Sequence, residues 1–265
     1  MVKKLPGADI TMLKLSVIMV VRNEEDKIRK CLDSVMWADD IVIVDQSSTD
    51  NTVGICREYT DKVFVVEHKN YCEPDRPFAA SKAKNDWILY VDADEEVPHE
   101  LRDEIIEVLS HPPAYNSYYI PRKNIFLGRW IRGSGWYPAH VLRLFKKGYV
   151  KFPDSIHGDI LPAGGHGYLK HDIIHITCGS LKEYMKKVGR YTDILAREMH
   201  EKGETLTYKN FIFKLLILPP ARFIQKFFLK KGFMDGIYGL VIAYLTAFTV
   251  FAMYIKLWNM QKGKT

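Results

Sequence analysis

The sequence predicts an α/β fold: a mostly parallel, Rossmann-like sheet flanked by helices, followed by an apolar, basic helical tail. Three observations predict it. Apolar runs recur through the first hundred residues and each ends in polar groups; helical periodicity fills the first two gaps between them; and the composition turns oily and cationic towards the carboxyl end. Alternation of strand and helix is the pattern of a parallel sheet, whose crossovers need helices.

The first run, Leu15–Val21, leads into Arg22-Asn23-Glu24. Met12–Val21 is interrupted by Lys14 and runs straight into charge, so it reads as a first strand and not a secretory signal. Glu24–Met36 places Ile28, Cys31, Leu32, Val35 and Met36 at helical spacing, with Asn23 available as a cap. Ile41–Val44 ends at Asp45, and Ser48-Thr49-Asp50 then precedes a helix with Val53, Ile55, Cys56 and Tyr59 on its apolar face. Val63–Val66 ends at Glu67-His68. The fourth run, Ile88–Val91, stops in Asp92-Ala93-Asp94-Glu95-Glu96. Unbroken apolar runs suit strands covered on both faces. Open α/β sheets bind ligands beyond the carboxyl ends of their strands, where these acids fall.

The middle third supplies a strand over Tyr118–Phe126, a Gly- and Trp-rich loop from Gly128 to Pro138, and a strand over Val141–Phe145. Trp136 offers a flat aromatic face for a ligand, or simply packs its loop. Arg143 either neutralises a phosphate or points outward into solvent. His166, His171 and His175 are spaced for no single helix, and they read as the loop and strand that end the domain. A long amphipathic helix follows, with Leu181, Tyr184, Met185, Val188, Tyr191 and Leu195 along one side, expected to pack on the sheet.

We place a domain boundary at 205, giving a catalytic domain over 1–205 and a membrane-associated segment over 206–265. From Lys209 onward there are nine Lys and Arg against Asp235 alone, a balance of +8, which leaves the first 208 residues at −2 within the total of +6. A cationic, apolar tail on a neutral body fits an anionic membrane surface, and nothing in the body resembles a nucleic-acid stripe. Within the tail, Asn210–Leu218 is apolar, Pro219-Pro220 is expected to break it, and Arg222, Lys226 and Lys230 recur opposite Phe223, Ile224 and Phe227. Gly236–Ile255 is twenty residues without charge, about 30 Å as a helix, so it is long enough to span or to lie in a bilayer. Cys31, Cys56, Cys72 and Cys178 lack metal spacing and read as small buried hydrophobes in a reducing compartment.

Asp92 and Asp94 present hard oxygen ligands for one divalent cation, Mg²⁺ or Mn²⁺, which in turn would hold a diphosphate. Gly-x-Gly-x-x-Gly and Gly-x-x-x-x-Gly-Lys-Ser/Thr are both missing after the first strand, which argues against dinucleotide and P-loop sites.

The segments LSVIMVVRNEE (15–25), WADDIVIVDQSSTDNT (37–52), DWILYVDADEE (86–96), PRKNIFLGRWI (121–131) and GWYPAHVLRLF (135–145) resemble family 2 glycosyltransferases, within them the lipopolysaccharide-core glucosyltransferase-like group. The similarity extends to FLKKGFMD (228–235) and to Lys256-Leu257-Trp258. It implies a GT-A fold, a nucleotide-sugar donor, a divalent metal, inversion at the anomeric carbon, and a lipid-linked or lipopolysaccharide saccharide acceptor at the cytoplasmic face of a membrane. By position, Asn23, Glu24, Asp45, Arg76 and Asp92 would bind the nucleotide sugar, Asp92 and Asp94 the metal, and Trp136 and Arg143 the acceptor. The chain departs from the family's pattern at three places. Pro77 follows Arg76 where Asn is usual; Ala139 stands where relatives often carry the catalytic Asp; and Ile156-His157-Gly158-Asp159 replaces Val-His-Glu. Asp159 or Asp154 would then supply the general base, and His157 a third metal ligand or a loop hydrogen bond. The rival readings are a polyprenyl-phosphate glycosyltransferase, a nucleotidyltransferase with the same paired Asp, and a membrane-bound binding module without turnover.

Overall fold

The structure is a computed structural model that describes residues 13–69, 71–153 and 158–262. Asp154 and His157, candidates for base and metal ligand, lie outside the described residues. The chain divides into two compact units, Met1–Arg122 with His140–His175, and Lys123–Ala139 with Ile176–Thr265. Residue 205 falls inside the second of these.

In the first unit the expected alternation is present. The elements run β1 (Leu15–Val21), α1 (Ile28–Val35), β2 (Asp40–Asp45), α2 (Thr52–Arg57), β3 (Val63–Val65), α3 (Arg76–Lys82), β4 (Trp87–Tyr90), β5 (Glu95–Glu96) and α4 (His99–Ser110). Strands β3, β2, β1 and β4 lie side by side in that order and all pair in parallel. Beyond β4 come β8 (Ala139–Lys146), β6 (Ser117–Phe126), β12 (Ile173–Cys178) and β5, with β8 antiparallel to β4. Short strands β9 (Val150–Lys151) and β10 (Leu161–Pro162) pair with each other, and β11 (Gly167–Tyr168) lies along β6.

Burial on both faces explains why β1 is apolar throughout apart from Ser16, whose hydroxyl donates to Asp40 at 2.7 Å. Val17, Met19 and Val21 enter a core shared with Ile28, Leu32, Leu101 and Ile105 of α1 and α4, whereas Ile18 and Val20 join Ala79, Ala80 and Tyr90 on the opposite face. Both faces are covered, so every side chain of β1 is buried. Asn23 does not cap α1, which begins at Ile28. It takes a positive φ of 52° instead, and its side-chain oxygen accepts from the Thr49 amide at 2.8 Å, tying the loop after β1 to the loop after β2.

The second unit contains β7 (Arg129–Trp130), paired with Ile125 and Phe126 at the end of β6, and helices α5 (Leu181–Glu201), α6 (Tyr208–Ile212), α7 (Leu218–Ile224) and α8 (Ile237–Lys262). Helix α5 has its Ser180 hydroxyl accepting from the Glu183 amide at 3.1 Å. It packs on α8, where Lys256 reaches Asp193 at 2.7 Å, and it leaves Leu181, Met185 and Tyr191 of its expected buried face exposed. Pro219-Pro220 does not break the helical path. Wide π turns over Phe213–Ile217 and Gln225–Leu229 flank α7, and both prolines sit in its first turn, where a missing N–H costs little. Helix α8 is long and apolar enough to cross a membrane, with a mean hydropathy of 1.9 in its most apolar window. Its Gly239 lies against Gly232, where a Cβ would come within 1.8 Å of the Gly232 carbonyl oxygen. Cys31, Cys56 and Cys178 are buried, Cys72 is partly so, and all four are free thiols.

Candidate active site

The parallel strands turn the acids to one edge. Val21 pairs with Asp45, and Ile18 with Tyr90, so Glu24, Asp45 and Asp92 all lie beyond carboxyl ends on the same side of the sheet. Strand order reverses between β1 and β4, since β2 and β3 build outward from one side of β1 and β4 from the other. That switch point is where open α/β sheets leave a crevice.

Asp45 is fully buried and accepts from the Ser48 amide at 2.8 Å and from the Ser48 hydroxyl. Glu24 is half-buried, with its amide donating to Thr52 Oγ1 at 2.8 Å. The two loops are thus built on each other. Buried Gln46 donates to the Tyr71 carbonyl at 2.8 Å and to Asp75 at 2.6 Å, fixing the residue that precedes Arg76 at the start of α3.

Around Asp92 the structure gathers two cations and a phenol. Tyr90 is wholly buried and donates to Asp92 Oδ1 at 2.5 Å. The Arg76 and Arg143 guanidiniums stand 4.8 and 4.6 Å from its ring centre. Arg143 donates to Asp92 Oδ2 and, at 2.7 Å, to Glu95, which also faces Arg122 at 3.8 Å. The expectation of an outward Arg143 is therefore corrected: it is 5% exposed, because Leu142–Phe145 of β8 are covered on both sides. Burial pushes the Asp92 carboxyl up, but the nearby charges of Arg143 and Arg76 outweigh this and hold it below the usual carboxylate range. Burial raises Glu95 above its ordinary value despite Arg143. The Nε atoms of Arg76 and Arg143 are buried without hydrogen-bond partners among the described residues.

Asp94 points elsewhere. His175 Nε2 lies 3.5 Å from its Oδ2, brought there by pairing of β12 with β5, in which His175 is opposite Glu95. Both side chains retain some access to solvent, 19% for Asp94 and 15% for His175. Among the described residues no three His, Cys, Asp or Glu side chains form a cage. The Asp94 carboxylate is the hard oxygen ligand that Mg²⁺ or Mn²⁺ takes together with water and phosphate, whereas the imidazole beside it is a softer donor than Mg²⁺ prefers. Asp92 is engaged by Arg143 and Tyr90.

Asp159 is exposed and follows Gly158, whose carbonyl faces Arg76 at 3.5 Å. Its charge reaches Tyr119, whose phenol is pushed up by burial first and by Tyr168 and Asp159 next. Tyr119 stacks on Tyr168 at 5.4 Å, and Tyr168 is 59% exposed. Trp136 belongs to the second unit, where it is half-buried, edge-on to Phe126 at 5.8 Å, with its carbonyl accepting from Asn124 at 2.8 Å.

This architecture is the GT-A fold. A mannosyltransferase from Pyrobaculum calidifontis, solved with GDP-mannose and Mn²⁺, superposes with a TM-score of 0.53 over 96% of this chain and 90% of its own, at 16% identity. The model of glycosyl transferase family 2 matches residues 16–163, and the chain belongs to that family. The chain is 27% identical to the lipopolysaccharide core biosynthesis glycosyltransferase LpsC of Rhizobium meliloti, covering 91% of this chain and 93% of that one. An uncharacterised glycosyltransferase of Rickettsia typhi is 29% identical over 93% of this chain and 87% of its own length. The protein is a glycosyltransferase.

Sequence reasoning weighs His175 as one of three possible metal ligands and sets it aside, and it does not single out Tyr90. Periodicity marks both simply as strand residues. Only the pairing of β12 with β5, between segments some eighty residues apart, puts an imidazole beside Asp94.

Proposed function

We propose that the chain is an inverting, metal-dependent hexosyltransferase that moves a sugar from a nucleoside-diphosphate sugar to a lipid-linked or lipopolysaccharide-core saccharide at the cytoplasmic face of a membrane. One observation carries this reading: Glu24, Asp45, Asp92 and Asp94 share the carboxyl edge of β1, β2 and β4 at the switch point. Asn23, Glu24 and Asp45 suit ribose and base donors, since a carboxylate has lone pairs beyond those that Ser48 occupies. Arg76, beside Gly158 and over Tyr90, suits the phosphates. Asp94 and His175 would hold the cation, with Asp92 beside them. When bound, Mg²⁺ or Mn²⁺ neutralises charge on the departing diphosphate.

Arg143 acts on this reading as the fixed counter-charge of Asp92 rather than as an acceptor ligand. Asp159 is the base: its carboxylate takes the proton of the acceptor hydroxyl as that oxygen bonds to the anomeric carbon. The bond to the diphosphate breaks with its electron pair, and nucleoside diphosphate leaves. Tyr168, exposed on its own unit, offers an acceptor ring a flat face. The basic, apolar segment from Lys209 associates with the membrane.

The test measures binding and turnover separately. Asp94→Ala should lose Mn²⁺-dependent binding of nucleotide sugars in calorimetry. Asp159→Asn should keep donor binding and lose turnover by about 10²–10⁴-fold. Nucleoside diphosphate as product supports sugar transfer, whereas pyrophosphate would mean nucleotidyl transfer. Polyprenyl phosphate, offered beside saccharide lipids, decides the acceptor class. Donor binding with no turnover of any acceptor would leave a binding module.

A further inference from the structure

Within the second unit an apolar groove of about 580 Å³ runs between α7 with its preceding turn and α8, lined among others by Leu216, Pro220, Phe223, Ala247, Phe248 and Phe251. Phe223 meets Tyr244 at 4.7 Å at one end, and Lys214 lies 5.0 Å from the Tyr254 ring beyond the other. The volume is in the range of sites that enclose small ligands. The wall is far oilier than a solvated surface, and Leu216, Ile224, Tyr244 and Phe248 remain exposed on it.

A second, independent observation lies just past the Phe223 end. Arg222, Lys226, Lys230 and Lys231 follow one another along the chain, and among the described residues no carboxylate lies within ion-pair distance of any of them. Lys226 is half-buried with its ammonium on the Ser134 carbonyl at 2.9 Å, and burial first, then Lys230 and Arg222, make its charge harder to keep. The acid of this segment, Asp235, is occupied by the amides of Arg132 and Gly133 at 3.1 and 2.6 Å. Arg222, Lys226 and Lys230, crowded together without an acid, call for an external anion. Arg222 is the chain neighbour of Phe223 in the groove wall.

We infer that this unit binds one anionic membrane phospholipid, with an acyl chain in the Leu216–Phe251 groove and the phosphate on Arg222, Lys226 and Lys230. The inference deepens the membrane part of the proposed function and gives it a lipid class and an address. Charge complementarity selects the occupant: a second copy of this chain would bring the same cations to the same place, whereas an anionic lipid supplies both the missing charge and the chain.

The full chain is incubated with vesicles of phosphatidylcholine alone, or of phosphatidylcholine mixed with phosphatidylglycerol, and sedimented. Binding should require phosphatidylglycerol and weaken as salt rises. Arg222→Gln with Lys230→Gln should lower the partition coefficient about 30-fold, at roughly fivefold per cation. Ala247→Trp, which fills the groove and leaves the cations in place, should abolish retention of one phospholipid per chain in native mass spectrometry, with circular dichroism confirming that it folds. Equal binding to both vesicles, or full lipid retention by Ala247→Trp, would overturn the inference. So would a dimer in size-exclusion chromatography that Ala247→Trp dissolves, since the groove would then belong to a second copy. Should Ala247→Trp fail to fold, lipid stoichiometry and salt dependence of the unaltered chain decide alone. None of these readouts uses donor or acceptor, so a failed transferase reading would leave them standing.

Discussion

At Asp92 burial and charge act in opposite directions, and Arg143 decides the outcome. Asp92 binds its proton less tightly in the folded chain than in the unfolded one. The stability it contributes is complete above the ordinary Asp value of about 3.9 and is lost as pH falls through the lower folded value. Glu95 has the opposite sign: raised by burial, its contribution is present below the ordinary Glu value of about 4.3 and declines as pH rises through the folded value. Arg143→Met removes the cation that both acids share. Chemical denaturation at neutral pH should show a loss of about 3–5 kcal/mol, the usual cost of stranding a buried charge. The loss should shrink towards mildly acid pH, where both carboxyls take up protons. Wild-type stability for this variant at neutral pH would show that the buried pair contributes little.

At the scale of elements, what the sequence shows is what local rules control. Apolar runs ending in acids mark β1, β2 and β4 and put Glu24, Asp45 and Asp92 on one edge, because parallel strands must end together. Asn23 read as a cap of α1, and its bridge to Thr49 was illegible because it depends on the next crossover. The inward Arg143 was illegible because a single strand does not reveal which neighbours cover it. Pro219-Pro220 misled for a different reason: a π turn can absorb the missing donors, and no residue pattern announces one. Gly239 and Asp235 show the same dependence on packing. Gly239→Ala drives a methyl into the Gly232 carbonyl and should cost about 1–3 kcal/mol. Asp235→Ala strands the Arg132 and Gly133 amides and should cost about 1–3 kcal/mol for each that stays dry. Thermal denaturation checks both, and an unchanged melting temperature in either would mean that the 132–133 loop and α8 are held by other contacts.

On the scale of the whole molecule, the charge distribution was readable from the sequence and the groove was not, because its two walls come from segments about thirty residues apart whose exposed side chains look alike in a periodicity plot. The same distinction governs the site. Residue types announce a place for an anion and a cation together, and folding pairs Asp94 with His175 and Asp92 with Arg143. On the proposed function, nucleotide and metal bind as a unit. A ligand at 100 times its Kd stabilises the state it binds by about 2.7 kcal/mol. For a chain of this size that corresponds to a rise in melting temperature of about 5–10 °C. Nucleoside diphosphate with Mn²⁺ should produce such a rise, either component alone at the same concentration should produce much less, and a chelator should reverse it. Asp94→Ala and His175→Ala should each flatten the joint response while leaving the melting temperature of the unliganded chain close to wild type, because neither side chain belongs to the buried core. An equal rise without metal would mean that Arg76 and Arg143 alone hold the diphosphate, leaving the Asp94–His175 pair as an ordinary strand contact.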